Sequence, residues 1–241
     1  MMEFLVELQK EKRTGIVWIL TAAGMVGVIY ILLNFSLRKD SLLALPLSPM
    51  DVLLTQLYGV VLVFNLFGII LAACMIYQLE FKEKAIRKMS VLPLSLTKCY
   101  LSKFIILAGT LLLAIVLENT ALGKIGVTDL PAGTFELGVL LKFAGYSFVT
   151  SLPVLAFMLL TAALFESIWL PLGVGVMGFL TGIAFATSKI GLFLLHPFVL
   201  MLRPATALTS EAEPGIVLLS LLETAAFLTA GVITAKKLRY E

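Results

Sequence analysis

Few residues of this sequence are placed where side-chain chemistry could be done, and most of those are polar groups set inside apolar runs. Glu223 lies among small and aliphatic residues, with Ser220 and Thr224 at helical spacing. An ionisable group inside a membrane is costly and is kept for a purpose. Such a carboxylate could bind a cationic substrate or brace a helix bundle. Asn65, among aliphatic and aromatic neighbours, suits a hydrogen bond to an adjacent helix, which contributes about 1 kcal/mol in such settings. Glu118 closes an apolar run and reads as a solvated group at its outer end. His196 is the only histidine. It could titrate near neutral pH or simply pack. Arg203 shares a semi-apolar, proline-broken stretch with it. Glu223, Asn65, His196 and Arg203 are the candidates for lining a substrate path.

Missing motifs narrow the chemistry further. A phosphate loop needs G-x-x-x-x-G-K-[ST]; Gly123-Lys124 lacks both the earlier glycine and the following Ser or Thr. One histidine cannot build a zinc protease site, and no G-x-S-x-G elbow is present. The sequence therefore offers no catalytic residues and no ligands for a metal or cofactor of its own. Cys74 and Cys99 make neither a zinc site nor a redox motif. They read as small apolar fillers on the cytoplasmic side, where a disulfide is not expected.

The elements that must hold these residues follow from composition. The chain is 60% hydrophobic and 14% charged, against roughly 45–50% and 25% in soluble domains. Apolar surface must therefore face lipid. About 20 apolar residues make one spanning helix, and six segments qualify: Gly15–Leu37, Val52–Gln78, Cys99–Leu117, Leu137–Phe165, Trp169–Thr187 and Gly215–Ala235. Backbone groups in lipid must be bonded within the segment, so these are helices, and the long unbroken runs are not the alternating segments of a barrel. The fold class is an all-α membrane protein, with residues 1–241 as a single transmembrane domain. The first run is too long for a signal-peptide core of about 7–15 residues and reads as an uncleaved span. Six spans put both ends on one side. Twelve of the 18 Lys and Arg residues then fall on that side, and the positive-inside rule makes it cytoplasmic. A net charge of +3 is too small to suggest nucleic acid as a partner.

Three further segments stand out. Residues 1–14 carry an apolar stripe of Phe4, Leu5 and Leu8 among charged neighbours and predict an interfacial helix. In residues 79–95, Glu80 and Lys84, then Glu83 and Arg87, are i,i+4 pairs in the favourable order. Phe81, Ala85, Met89 and Leu92 share one helical face, Pro93 ends the helix, and Ser95 or Thr97 can cap the next one. This amphipathic helix would lie across the cytoplasmic ends of the bundle, and its edges suit either a cytoplasmic partner or the lipid surface. Residues 188–210 are too apolar for an ordinary external loop and too short to cross twice. His196-Pro197 and Arg203-Pro204 interrupt them. Two half-helices dipping into the outer leaflet would fit, as would an amphipathic surface loop. Gly178-x-x-x-Gly182 and Ala23-x-x-x-Gly27 permit close helix packing, within the chain or against a second chain of the same kind.

The Glu11-Lys12-Arg13-Thr14 run before the first span, and the Glu80-to-Lys103 block with Leu92-Pro93-Leu94-Ser95, resemble an ABC-2 type transporter permease. The nearest group is the lantibiotic-immunity and bacitracin-resistance permeases. The resemblance covers nearly the whole chain. It implies that Glu80, Phe81, Glu83, Lys84, Ala85, Arg87, Met89 and Leu92 form a coupling helix that docks into a separate ATPase subunit. The N-terminal helix would rest against that subunit, and residues 188–210 would be a re-entrant pair. It also implies two ATPase chains carrying the ATP and magnesium, and a second permease chain, identical or homologous. The expected place is the bacterial plasma membrane, in contact with lipid, and the expected cargo a membrane-active peptide antibiotic. Export of another hydrophobic drug or a lipid-linked substrate is the alternative. A secondary transporter without an ATPase would need polar residues converging at mid-membrane, where this sequence has few besides Glu223 and Asn65.

Overall fold

The computed structural model describes residues 2–82, 95–131, 133–186, 188, 190–207 and 209–237, and no strand occurs among them. Helix α1, Met2–Thr14, is amphipathic. Gly15 follows it with a φ of 79°, and helix α2, Ile16–Leu43, starts there. Only glycine takes that left-handed conformation without strain, so Gly15 makes the corner between the two helices. Ser48 caps the next element: its Oγ accepts from the Asp51 amide at 3.1 Å, and Pro49 takes the first position of α3, Pro49–Asp51. A π-helical turn, Val52–Gln56, leads into α4, Tyr58–Lys82. Ser95 caps α5, Leu96–Asp129, as the sequence allowed. Then come α6, Leu137–Leu164, and α7, Trp169–Ala186. A 3-10 turn, Gly191–Leu195, precedes α8, Pro197–Thr206. Helix α9, Pro214–Lys237, is the last.

Six of these stretches are long and apolar enough to span a membrane, as expected: α2, Pro49–Phe81, α5, α6, α7 and Pro214–Lys236. The boundaries differ at the end of the bundle away from α1. Helix α2 runs on to Leu43 and α5 to Asp129. The 34 residues of α5 are about 51 Å long at 1.5 Å per residue, well beyond a hydrocarbon core of about 30 Å. Helix α2 kinks at Arg38, where φ is −123° and ψ 16°, and then continues to Leu43, whereas α5 runs on to Asp129 with no proline in it. Lys39 and Asp129 form an ion pair at 2.6 Å that joins the two extensions.

The second and fourth spans are the interior of the bundle, with 61% and 67% of their most apolar windows buried, against 22–28% for α2, α7 and α9. Lipid tails are as apolar as leucine, so helix association rests on close packing and polar contacts. The small residues supply the packing. A Cβ on Gly24 would lie 2.7 Å from the Ala114 Cβ, and one on Gly68 would lie 3.0 Å from the Ala23 Cβ. Helix α2 therefore seats its Ala23–Gly27 face on α4 and α5. A Cβ on Gly178 or Gly182 would strike Phe198 of α8. Both small-residue motifs are thus used for packing within this chain. Cys74 and Cys99 are buried and unbonded.

Candidate functional sites

At one end of the bundle, three elements meet around one lysine. Lys103, on the second turn of α5, is 2% exposed. Its Nζ lies 2.8 Å from Glu7 Oε2 of α1 and 2.9 Å from Glu80 Oε1 of α4. Lys10 of α1 also donates to Glu80 and lies 3.9 Å from Glu7. The Tyr77 ring closes one side, 5.8 Å from the ammonium. Removing one partner of a buried ion pair strands the other charge and costs about 3–5 kcal/mol, so this group fixes α1 to the ends of α4 and α5. Two ammonium groups balance Glu7 and Glu80. Glu11, one turn further along α1, is buried beside them, and neither of its carboxyl oxygens has a partner among the described residues. Burial pushes its carboxyl up to about 8. The neighbouring Glu7 and Glu80 push the same way, against Lys103 and Lys10.

This arrangement changes the reading of Glu80. Helix α4 continues through it to Lys82, and Glu80 is 3% exposed. It belongs to the end of the second span and turns inward to lysines, rather than onto an open charged edge. Phe81 is half-buried and packs against Tyr77. Glu83, Lys84, Ala85, Arg87, Met89 and Leu92 lie outside the described residues. The pairing of Glu7 with Lys103, 96 positions apart, has no signature in sequence. The one available signal was a lysine a turn inside an apolar helix.

The second site is in the middle of the bundle. Glu118 has no exposure and stands inside α5, about 16 Å short of its Asp129 end at 1.5 Å per residue. The expectation of a solvated outer group is therefore corrected, because the helix passes it and continues. Asn65 of α4 does bond to a neighbouring helix: its Nδ2 donates to Glu118 Oε2 at 2.9 Å. The Tyr58 hydroxyl, also of α4, interacts with Glu118, Asn65 and Ser147 of α6. Gly27 of α2 makes room. A Cβ there would lie 2.8 Å from Glu118 Oε1. Tyr58, Asn65, Glu118 and Ser147 are all fully buried. Among the described residues, Glu118 Oε1, Asn65 Oδ1, the Tyr58 hydroxyl and Ser147 Oγ make no hydrogen bond of good geometry.

The third region is the segment before α9. His196 joins the 3-10 turn to α8. Its Nε2 lies 3.1 Å from Thr181 Oγ1 of α7, its Nδ1 is buried without a partner among the described residues, and burial lowers the ring's basicity. Beside it, α7 and the start of α8 wall a groove of about 600 Å³, with Phe157 of α6 closing it and Trp169, Val174, Met177, Thr181 and His196 in its lining. Arg203 lies 3.6 Å from Glu213. Glu223 of α9 is half-buried, and its carboxyl oxygens are covered and unpartnered among the described residues. The four residues expected along a substrate path are not gathered. No hydrogen bond or ion pair among the described residues links Asn65, His196, Arg203 and Glu223 to one another; only His196 and Arg203 share an element, α8 and its cap.

Comparison with known proteins agrees with this architecture. The family described as ABC-2 family transporter protein matches residues 4–182, from α1 through most of α7. No curated protein and no solved structure matches the chain. The matched stretch contains both buried polar clusters, four of the six spans and most of a fifth. The chain belongs to the ABC-2 transporter family and is a multi-pass permease of that family.

Proposed function

We propose that this permease expels a membrane-active peptide antibiotic, of the lantibiotic or bacteriocin kind, from the membrane of the cell that carries it. Family membership implies an ABC ATPase partner. In this reading two ATPase chains serve two permease chains, both termini are cytoplasmic, and ATP is hydrolysed on the partner.

The observation that carries the reading is the ion-paired junction of α1, α4 and α5. A stroke delivered by a cytoplasmic ATPase must reach the spans through elements that do not slip, and Lys103 binds all three ends at once. The segment that continues from α4, residues 83–94, is where the ATPase would dock. Glu80 and Phe81 would then anchor the docking helix, and its contact face would come from the residues beyond them. Residues 188–210 would form a re-entrant pair. A substrate arriving from lipid would meet the groove beside it.

The groove's lining contains no Lys, Arg, Asp or Glu. That favours an apolar moiety and supports the second reading, export of another hydrophobic drug or of a lipid-linked substrate. Expression with its ATPase partner in a sensitive strain separates the two. The expected outcome is a several-fold rise in resistance to cationic membrane-active peptides, lost when the partner cannot hydrolyse ATP. Resistance confined to uncharged hydrophobic drugs selects the second reading, and tagged permease that never brings down an ATPase from its host defeats both.

A further inference from the structure

Glu118 is a carboxyl group against Gly27, near the middle of the apolar run of α2, and among the described residues no lysine, arginine or histidine is paired with it. An uncompensated charge in such a setting is expensive, so the group is either a neutral acid or a carboxylate accompanied by a cation. Around it the structure gathers oxygen atoms with unused capacity: Glu118 Oε1, Asn65 Oδ1, the Tyr58 hydroxyl and Ser147 Oγ. Because Asn65 donates its Nδ2 to the other carboxylate oxygen, its Oδ1 is left as an acceptor. Three helices supply these groups, and a fourth supplies the gap at Gly27 that lets the carboxylate sit there.

We infer that Glu118, Asn65, Tyr58 and Ser147 bind one alkali-metal cation, sodium or potassium, at the centre of the bundle. The ligand chemistry selects the ion. All donors are hard oxygens, without the imidazole or thiolate that softer metals favour. A single carboxylate balances a single positive charge, whereas a divalent ion would leave an excess charge buried. The bound ion would tie α4, α5 and α6 together and hold the Glu118 carboxylate against α2. This site is separate from the ATPase-coupling junction and does not depend on the nature of the exported substrate.

The test uses the full-length chain, purified in detergent. Equilibrium dialysis with radioactive sodium measures direct binding. Thermal unfolding compares sodium, potassium and N-methylglucamine chlorides at equal ionic strength and pH. A ligand that binds only the folded state raises its stability by mass action. The expected result is saturable binding of one ion per chain and a melting temperature several degrees higher in sodium or potassium. Glu118→Gln should abolish both effects, and Ser147→Ala should weaken binding several-fold while leaving the fold intact. If Glu118→Gln does not fold, wild-type binding and the Ser147→Ala series still decide. Absence of saturable binding, with identical melting in all three salts, overturns the proposal. Stability that follows pH alone would assign the role to a proton and overturn it equally. So would sodium binding that survives Glu118→Gln.

Discussion

The two buried polar clusters differ in how their charge is closed. At the end of α5, Lys103 and Lys10 meet Glu7 and Glu80 within the chain. In the middle of α5, Glu118 meets the Asn65 amide and the Tyr58 phenol, with Ser147 against Tyr58, but no cation among the described residues. The first cluster pairs Glu7 and Glu80 with two lysines, leaves only Glu11 unpaired beside them, and acts as a fastener. The second is incomplete and has room in its chemistry for a positive species from outside. Burial alone therefore does not separate a structural charge from a functional one, since Glu80 and Glu118 are almost equally hidden.

That contrast is open to attack by substitution. The largest effect should come from Lys103→Met, which removes the close partner of Glu7 and leaves Lys10 alone to balance both Glu7 and Glu80. Loss of about 3–5 kcal/mol is expected from breaking a buried pair, read as a lower melting temperature and as proteolytic release of α1. Glu118→Gln removes a charge with no partner in the chain. In a salt free of alkali cations it should leave melting unchanged or raise it, and a loss as large as that of Lys103→Met would erase the distinction between the clusters.

A smaller effect should follow substitution at the contact that seats α2. A methyl group on Gly24 would meet the Ala114 Cβ and Cα at 2.7 and 2.8 Å, and backbone cannot move aside as a flexible side chain can. Gly24→Ala should cost about 1–3 kcal/mol as an overpacked contact, seen as lower melting with the helical circular dichroism retained.

Glu11 gives the fastener a pH dependence. Its carboxyl titrates at about 8 in the folded chain, above the ordinary 4.5. A raised acid favours the protonated folded state, so its contribution is fully present below about 4.5. It declines as pH rises from there to about 8, and is flat beyond. Hydrogen exchange of α1 amides, corrected for the intrinsic rate, should therefore speed up across that window. Glu11→Gln should remove the slope. A wild-type profile that slows with rising pH would contradict the assignment. The smallest effect is expected at the far end of α2 and α5, where Lys39 and Asp129 are partly exposed. Lys39→Ala should change stability by about 0–1 kcal/mol, as exposed pairs do.

The six spans were legible in the sequence because their length and apolarity answer directly to the bilayer. The capping Ser95 was legible for a local reason, a short side chain ahead of a helical run. The position of Glu118 was not. It ends the unbroken apolar run, yet Ala121, Leu122, Ile125 and Gly126 carry a buried helical face onward, and all four are covered in the structure. Glu80 was misplaced for a related reason. Its spacing to Lys84 suggested a local pair, while its observed partners are Lys103 and Lys10, brought near only by the fold. The small-residue motifs announced close packing without naming the partner surface, which proved to be Ala114, Glu118 and Phe198 of the same chain.

The claim on which the coupling account rests is that ion pairs across α1, α4 and α5 hold these ends as one unit. A double-mutant cycle of Glu7→Gln and Lys103→Met, followed by thermal unfolding, tests it directly. Groups in contact show coupling of about 0.5–3 kcal/mol, and independent sites add. The account predicts that Glu7→Gln, by removing the stranded carboxylate, restores much of the stability lost in Lys103→Met. Losses that simply add would show that the two residues do not act together and would contradict it.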